Sequence, residues 1–519
     1  MTLSTNVLPD WIPLFSLTGI ASSFGSLFSL AVLYVLATLI YNVFFHPLKH
    51  IPGPLFARAC GIPYAVRMRN GNIIPWIREQ HERYGDAVRL APSEVSFISG
   101  ETAWPDIYGF RTGKKYKNTG AYSKDRSWFP TPVNKVWSLL GANEEDHSRM
   151  RRNVSHAFSD KSLRQQETLV QSYVDLLVHR LGENAAEGKD VDIMRWYNCT
   201  TFDVIADLSF GEPLYCLRDN QYHNWVNMIL ASNKAGAYIA IRNKYPLFKY
   251  YDIVKGTFKD TKGSERARIE FYRLTHDKVE SRLEKGAEGR PDFFSFIIKN
   301  QETESKALTR KEMDTNALGF LIAGSETTAT ALSGTTYLLL KNPAAYAKLV
   351  HEIRSTFTSH AEITIEEVNK LEYMIACLQE GLRYYPPVPS GFPRVVPPGG
   401  DHISGHYIPG GTSVYVSQHA SNRSTRNFKD PDAYVPERWV GDERYKDDNH
   451  DSMNPFSFGP RNCLGKSLAY AEMRLILAKV LFNFDLEIVN DSQDWMKEQK
   501  TYALWEKPSL MVKLKSVQR

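Results

Sequence analysis

Between Trp11 and Phe45 the chain has no Asp, Glu, Lys or Arg. Phe24 to Phe45 is nearly continuous apolar sequence, long enough to cross a bilayer as one helix. A cleaved signal peptide would want positive charge ahead of the apolar run, and the only charged side chain there is Asp10. The stretch therefore reads as a retained anchor, with a cleaved or peripheral segment as the alternative. Lys49, Arg58, Arg67 and Arg69 follow it, which puts the bulk of the chain on the cytosolic side. Cysteine is sparse too. Five residues, at 60, 199, 216, 377 and 463, odd in number and scattered, argue against a disulfide framework and for a reducing compartment. The net charge of +5 over 519 residues comes without any long Lys/Arg block, which argues against nucleic acid as a partner. There is no internal repeat, no low-complexity tract, and no glycine motif of a flavin or dinucleotide site.

What is present centres on Phe456-Ser-Phe-Gly-Pro-Arg-Asn-Cys-Leu-Gly465, a glycine-bounded loop carrying one cysteine. Gly459 and Gly465 allow backbone conformations closed to other residues and close approach to a flat ligand, and Pro460 stiffens the turn. From Lys466 onward apolar residues recur at helical spacing, so Cys463 sits just before a helix N-terminus, where free N–H groups favour a thiolate. With Arg461 near and no second Cys or His at zinc spacing, a lone thiolate suits one axial bond to haem iron better than a zinc cage. A buried, unligated cysteine in a turn is the competing reading.

The loop matches Phe-x-x-Gly-x-Arg-x-Cys-x-Gly at all five fixed positions, and so resembles the haem-binding loop of the cytochrome P450 monooxygenases. The resemblance implies that Cys463 is the proximal haem ligand, that Arg461 reaches a haem propionate, and that Phe456 packs by the sulfur, with Gly465 bounding the cradle. Further motifs join it. Glu145 to Phe158 reads as a helix with His147 and Arg151 on one face. In the family such a pair binds the propionates; a solvated basic face is the alternative. Arg149 and Arg152 form a second stripe, which the resemblance places near Lys466 as a docking face for an acidic reductase.

Met313 to Leu340 reads as one long helix interrupted by the polar island Ala323-Gly-Ser-Glu-Thr-Thr328. Glycine costs about 1 kcal/mol in a helix interior relative to alanine, so the island weakens an otherwise apolar helix. It resembles the family's oxygen-binding groove, which implies that Ala323 and Gly324 border the haem, Gly324 makes room for dioxygen, and Glu326 and Thr327 support proton delivery. Glu380 and Arg383, three apart on a helix, precede Pro436-Glu-Arg-Trp439 in the family's order, implying a buried triad with Arg438. Arg394 is the expected partner of the other propionate. Phe320, Ala323, Val388 to Phe392 and Tyr502 are candidate substrate contacts, with plain core packing as the alternative.

A strand pair is expected around Ala87 to Ile98, and most of the remainder reads as helix. Asn342-Pro343 is a helix start and Thr364-Ile-Glu-Glu367 a capping box. The aromatic region Trp196 to Arg290 is expected as a lid over the pocket, faced by the loop around Trp104 to Trp137. The expected architecture is the mainly α cytochrome P450 fold with small β-sheets, one catalytic domain behind a transmembrane helix. Its divisions are a lumenal segment (1–23), an anchor (24–45), a proline-rich hinge (46–54) and a haem-thiolate domain (55–519).

The resemblance implies insertion of one oxygen atom from O2 into a lipophilic small molecule, with NADPH electrons from a separate NADPH-cytochrome P450 reductase and cytochrome b5 as a second candidate donor. It also implies residence in the endoplasmic reticulum membrane. Pro386-Pro-Val-Pro, Pro393-Arg-Val-Val-Pro-Pro-Gly-Gly400 and the cysteine loop with its following helix resemble a fungal branch that holds trichothecene-pathway hydroxylases, implying secondary metabolism of terpenoid, polyketide or alkaloid compounds. Ring coupling, desaturation or multistep oxidation at the same haem remains an alternative. A haem-carrying sensor without turnover is another.

Overall fold

A long helix, Arg310–Lys341, starts where the Thr309 hydroxyl accepts the Glu312 N–H and the Glu312 carboxylate accepts the Thr309 N–H, a reciprocal cap. That cap sets the start ahead of Met313, where apolar periodicity alone begins. The computed structural model describes residues 17–111, 121–246, 248, 250–251, 261–287, 290–301, 307–489 and 494–518. Beyond residue 320 the helix is buried on nearly every side, which is how a helix without a polar face is accommodated. Ile193–Phe210 packs along it most extensively, and Glu372–Tyr384, Thr261–Glu284 and Lys466–Asn483 enclose it from other sides.

Glycine sets the closest of these approaches. A Cβ on Gly324 would lie 2.6 Å from the Ile205 Cδ1, so the glycine lets Ile193–Phe210 come close to the central helix. Ile193–Phe210 is buried almost throughout and ends at Gly211, whose φ of 72° supplies the left-handed cap. This corrects the expected lid. The aromatic region's first part, including Trp196, is core, and the half-buried helix Asn224–Lys244 follows it. Trp104 is likewise buried, donating to the Ser452 carbonyl at 3.0 Å.

The main sheet has five strands in the order Ala87–Ala91, Glu94–Phe97, Ser413–Val416, Arg394–Val395, Ser123–Lys124. The first pair is the expected hairpin, and Glu94–Phe97 runs parallel to Ser413–Val416. A three-stranded antiparallel sheet joins Val191–Asp192 and Phe484–Ile488 through Met511–Ser516. A short hairpin pairs Lys500–Thr501 with Trp505–Glu506. Asn342-Pro343 opens the helix Pro343–Thr356 as its sequence signal requires, and Thr364 accepts the Glu367 N–H at 3.3 Å, one half of the expected capping box.

The N-terminal helix spans Leu17–Phe44, starting ahead of residue 24; most of the expected lumenal segment, residues 1–16, lies outside the described residues. Its stretch Ala21–Phe44 has a mean hydropathy of 2.1 and only 6% of that window is buried, so its apolar side chains face outward. The helix does not trail into a loose hinge. Arg58 donates to the Val43 carbonyl at 3.1 Å, Arg89 to Asn42 at 2.8 Å, and Asn42 donates back to the Ala59 carbonyl at 2.9 Å. Two cations thus satisfy the carbonyl end of the helix, where the dipole favours positive charge. Deleting residues 1 to 45 should move much of the protein from the membrane to the soluble fraction, as read by carbonate extraction. A protein still released only by detergent would contradict the anchor. Residual surface binding would come from exposed Leu55, Phe56 and Ile62.

Candidate functional site

In the cysteine loop, Gly459 has a φ of 71°, and a Cβ there would meet the Tyr108 carbonyl oxygen at 2.0 Å. Only glycine fits that turn. Gly465 behaves differently. Its φ is −88°, open to any residue, and the direction its Cβ would take meets nothing within 4 Å, so it borders open space instead of making a special turn. The Cys463 N–H donates to the Phe456 carbonyl at 2.8 Å. The Phe456 ring rests on Tyr470, centroids 4.9 Å apart, and its recorded link to Cys463 is through the backbone.

Cys199, Cys216 and Cys377 are buried, whereas Cys463 is exposed. Desolvation nonetheless pushes the Cys463 thiol up, against the Gly465 N–H, Arg151 and Lys466, which lower it. A side chain both accessible and desolvated lies on the wall of an internal space. The helix terminus and neighbouring cations therefore do not suffice to make a thiolate; burial outweighs them, and a metal bond is what would deprotonate the sulfur.

Cations gather beside this loop. Arg151, on the helix Glu144–Ser155, donates to the Asn462 carbonyl at 2.8 Å and to its side-chain oxygen at 2.6 Å, bracing the residue before Cys463. Arg461 donates to the Ala142 carbonyl at 2.9 Å and pairs with Glu144 at 3.1 Å. Lys124 and Arg394 are direct cross-strand partners, 8% and 2% exposed. Like charges so placed repel. Among the described residues neither forms an ion pair, and the Arg394 Nε and Nη1 are buried without a partner. The Lys124 ammonium lies 4.6 Å from the Phe392 ring centroid.

The same positive field is felt by each member. Burial, Arg394 and Arg461 hold Lys124 well below its usual range, and burial with Arg461 lowers Arg394 to about 10 despite Tyr108. His147, buried, is lowered to about 3 by desolvation and then by Arg461, Arg151, Lys124 and Arg394. The structure thus brings together His147, Arg151, Arg394, Arg461 and Cys463, all singled out in the sequence, and adds Lys124. Sequence reading missed Lys124 because a lone lysine in a short strand carries no motif. Arg149 departs from expectation: it is bound to Glu312 and Asp146, tying its helix to the central helix and leaving only Arg152 exposed on that stripe.

On the central helix, Ala323 is exposed and Thr327 half-exposed amid buried neighbours, so this face also borders internal space. The Thr327 hydroxyl donates to the Ala323 carbonyl at 2.7 Å. Gly324 does not open toward that space; what it accommodates is Ile205. Glu326 and Thr327 do not share a face either, because consecutive helical residues diverge by about 100°. Glu326 is turned into the core, 1% exposed, and paired with Lys507. Phe320 is part of an aromatic cluster, edge-on to Phe158 at 5.3 Å and to Phe293 at 5.7 Å, which is core packing. Tyr502 is buried against Tyr238 of the helix Asn224–Lys244, ring centroids 6.2 Å apart. Val388 and Phe392 are half-buried.

Behind the loop, Arg383 donates two 2.8 Å bonds to Glu380, and Arg438 donates to the same carboxylate at 3.1 Å. All three side chains are 0% exposed. The Val435 N–H and the Trp439 indole also donate to Glu380, at 2.8 and 2.9 Å. The expected triad is a tetrad, since Asp448 pairs with Arg438 and makes the buried group neutral overall. Burial raises the Glu380 pKa, but Arg383 and Arg438 bring it below the usual carboxylate range.

An accessible cysteine beside a buried set of unneutralised cations fits a flat dianionic cofactor that takes one thiolate, the donor set of a haem-thiolate oxidoreductase. The sequence profile of the cytochrome P450 family matches residues 69–514. The chain is 48% identical over 507 residues to a cytochrome P450 monooxygenase, lcsI, of Purpureocillium lilacinum, covering 97% of this chain and 96% of that one. It is 47% identical to cytochrome P450 monooxygenase traB of Penicillium crustosum, covering 97% and 99%, and 40% identical to atr2 of Stereocaulon alpinum, covering 99% and 100%. The chain belongs to the cytochrome P450 family. It is a monooxygenase that uses thiolate-ligated haem and receives NADPH electrons through a reductase.

Glu380→Ala leaves two guanidinium groups buried with only Asp448 between them, and should cost about 3 to 5 kcal/mol of stability. Urea unfolding checks this, and an unchanged midpoint would contradict it. Because the Glu380 pKa is depressed in the fold, its contribution is present above the unfolded carboxylate value and is lost as pH falls through the folded one.

Proposed function

We propose that Cys463 supplies the axial thiolate and that His147, Arg151, Lys124, Arg394 and Arg461 hold the haem by its two propionates. The carrying observation is the Lys124–Arg394 pair, two buried cations registered opposite each other, with guanidinium nitrogens unpartnered and no paired acid among the described residues. A dianion there removes the repulsion. When bound, the haem would supply dioxygen activation, with Cys463 as its thiolate donor.

The chain's own residues do the rest. Arg151 holds the loop through Asn462, and Gly459 lets it turn against Tyr108. Gly465 leaves space beside the cysteine for a flat ring, and Phe456 anchors the loop through Tyr470 and the Cys463 N–H. Ala323 borders the oxygen side, and Thr327 and Glu326 manage protons there, Thr327 at its hydroxyl and Glu326 from the core. Val388, Phe392 and Tyr502 are the proposed substrate-side residues; Phe320 supports that wall from behind, through Phe158 and Phe293.

The proposed substrate is a lipophilic small molecule of fungal secondary metabolism, a reading supported by the fungal sources of the relatives. The partner is a separate NADPH-cytochrome P450 reductase, with cytochrome b5 as a second donor. The proposed setting is the endoplasmic reticulum membrane, crossed once by the apolar helix with residues 55–519 in the cytosol. The segment 46–54 is an orienting connector, pinned by the Arg58 guanidinium on the Lys49 carbonyl and the Arg89 backbone N–H on the Pro52 carbonyl. Cys463→Ala should abolish the thiolate-type spectrum of the reduced, carbon monoxide-bound protein. A variant that retained it would sink the assignment.

A further inference from the structure

We propose that Lys507 is a positioning residue for the monooxygenation, holding the Glu326 carboxylate fixed in the core behind the oxygen-side face of the central helix. The inference rests on the proton-handling role proposed for Glu326. Lys507 follows directly on the strand Trp505–Glu506, far in sequence from the helix it reaches. Its ammonium donates to the Glu326 Oε1 and, at 2.8 Å, to the Thr330 hydroxyl one helical turn on. Both charged side chains are 2% exposed. Among the described residues Lys507 is the one ion-pair partner of Glu326.

Two observations bear on this role. The first is how the carboxylate is used. In Glu380 both oxygens accept hydrogen bonds, from Arg383, Arg438, Val435 and Trp439, so that carboxylate is fully committed. In Glu326, Oε1 is committed to Lys507, while the buried Oε2 has no partner among the described residues. One oxygen is held and the other is left to take up and return a proton. The second is how firmly the lysine is presented. Trp505 donates its indole N–H to the Pro386 carbonyl at 2.8 Å and stacks on Tyr385, centroids 4.8 Å apart. Tyr385 in turn donates to Gln499. The hairpin is thereby locked against the protein, and Lys507 with it.

The other titratable groups that sense the Glu326 charge are Tyr222 and Tyr385, whose hydroxyls are both pushed up, chiefly by burial. Neither carries positive charge. Without Lys507 a carboxylate buried in this setting becomes a neutral carboxylic acid. As a neutral acid it keeps its proton, and the cycle of uptake and return stops.

The test uses full-length, haem-loaded protein with a microsomal NADPH-cytochrome P450 reductase in phospholipid vesicles. Infrared difference spectra at neutral pH read the protonation state of Glu326, and NADPH-driven oxygen consumption across pH reads its function. Lys507→Met should show a protonated carboxylic acid band that the double variant Lys507→Met/Glu326→Gln lacks. Its oxygen consumption should fall roughly ten-fold, to the level of Glu326→Gln, with a displaced pH profile. Lys507→Arg should restore both toward wild type. Lys507→Met with no such band and a wild-type profile overturns the inference while leaving the role of Glu326 standing, provided Glu326→Gln is impaired. Glu326→Gln with wild-type consumption and profile overturns the role of Glu326 and the inference together. Should Lys507→Met fail to hold haem, Lys507→Gln is read by the same criteria.

Discussion

Lys124 and Arg394 face each other on paired strands inside the protein, and among the described residues no acid pairs with either of them. Glu144, the acid closest to hand in the charge set, is taken by Arg461. Burial, and after it the neighbouring cations, Arg151 among them, drive His147 to its neutral form and weaken the protonation of Lys124 and Arg394. Such a cluster destabilises the fold unless an anion occupies it. The cytochrome P450 haem, with two propionates at one edge and an iron that bonds a thiolate, answers both demands of this pocket, the uncompensated charge and the desolvated Cys463. Cofactor binding and folding are on this account coupled, since the groups that hold the haem are the ones that repel without it.

Two buried acids with different environments divide the remaining work. Glu380 sits in a closed network with Arg383, Arg438 and Asp448, every carboxylate oxygen of Glu380 engaged, which suits a fixed support behind the loop. Glu326 has one oxygen on Lys507 and one without a partner among the described residues, and it lies on the helix whose neighbouring residues Ala323 and Thr327 border the internal space. The first arrangement holds still; the second leaves a carboxylate oxygen free to take a proton.

Much of this was legible in the sequence, for identifiable reasons. Period and cap signals marked the central helix, the Pro343 start and the strand pair at Ala87 to Ile98, because those features are local. Cys463, Arg461, His147 and Arg151 lie within short spacings and came out together; Glu380, Arg383 and Arg438 came out through their order along the chain. What stayed hidden depends on long-range pairing. Lys124 meets Arg394 only through sheet register, Asp448 joins Arg438 through a loop, and Lys507 reaches Glu326 from 181 positions away. The directions of other residues were hidden for the same reason. A side chain at Gly324 would meet Ile205; Phe320, a candidate for substrate contact or core packing, lies in an aromatic cluster; and Arg149, offered for a docking face, is bound to Glu312. In each case the residue type was informative and its direction was not, since direction is set by neighbours remote in sequence.

The most direct measurement titrates haem-free full-length protein with haem and, separately, with haem whose two propionates are esterified. The account predicts that native haem binds tightly and gives the thiolate-type carbon monoxide spectrum, while the neutral diester binds far more weakly and stabilises the protein little against heat. Equal affinity and equal stabilisation for the two would show that the buried cations are not there for the propionates, and the charge argument for this site would fall.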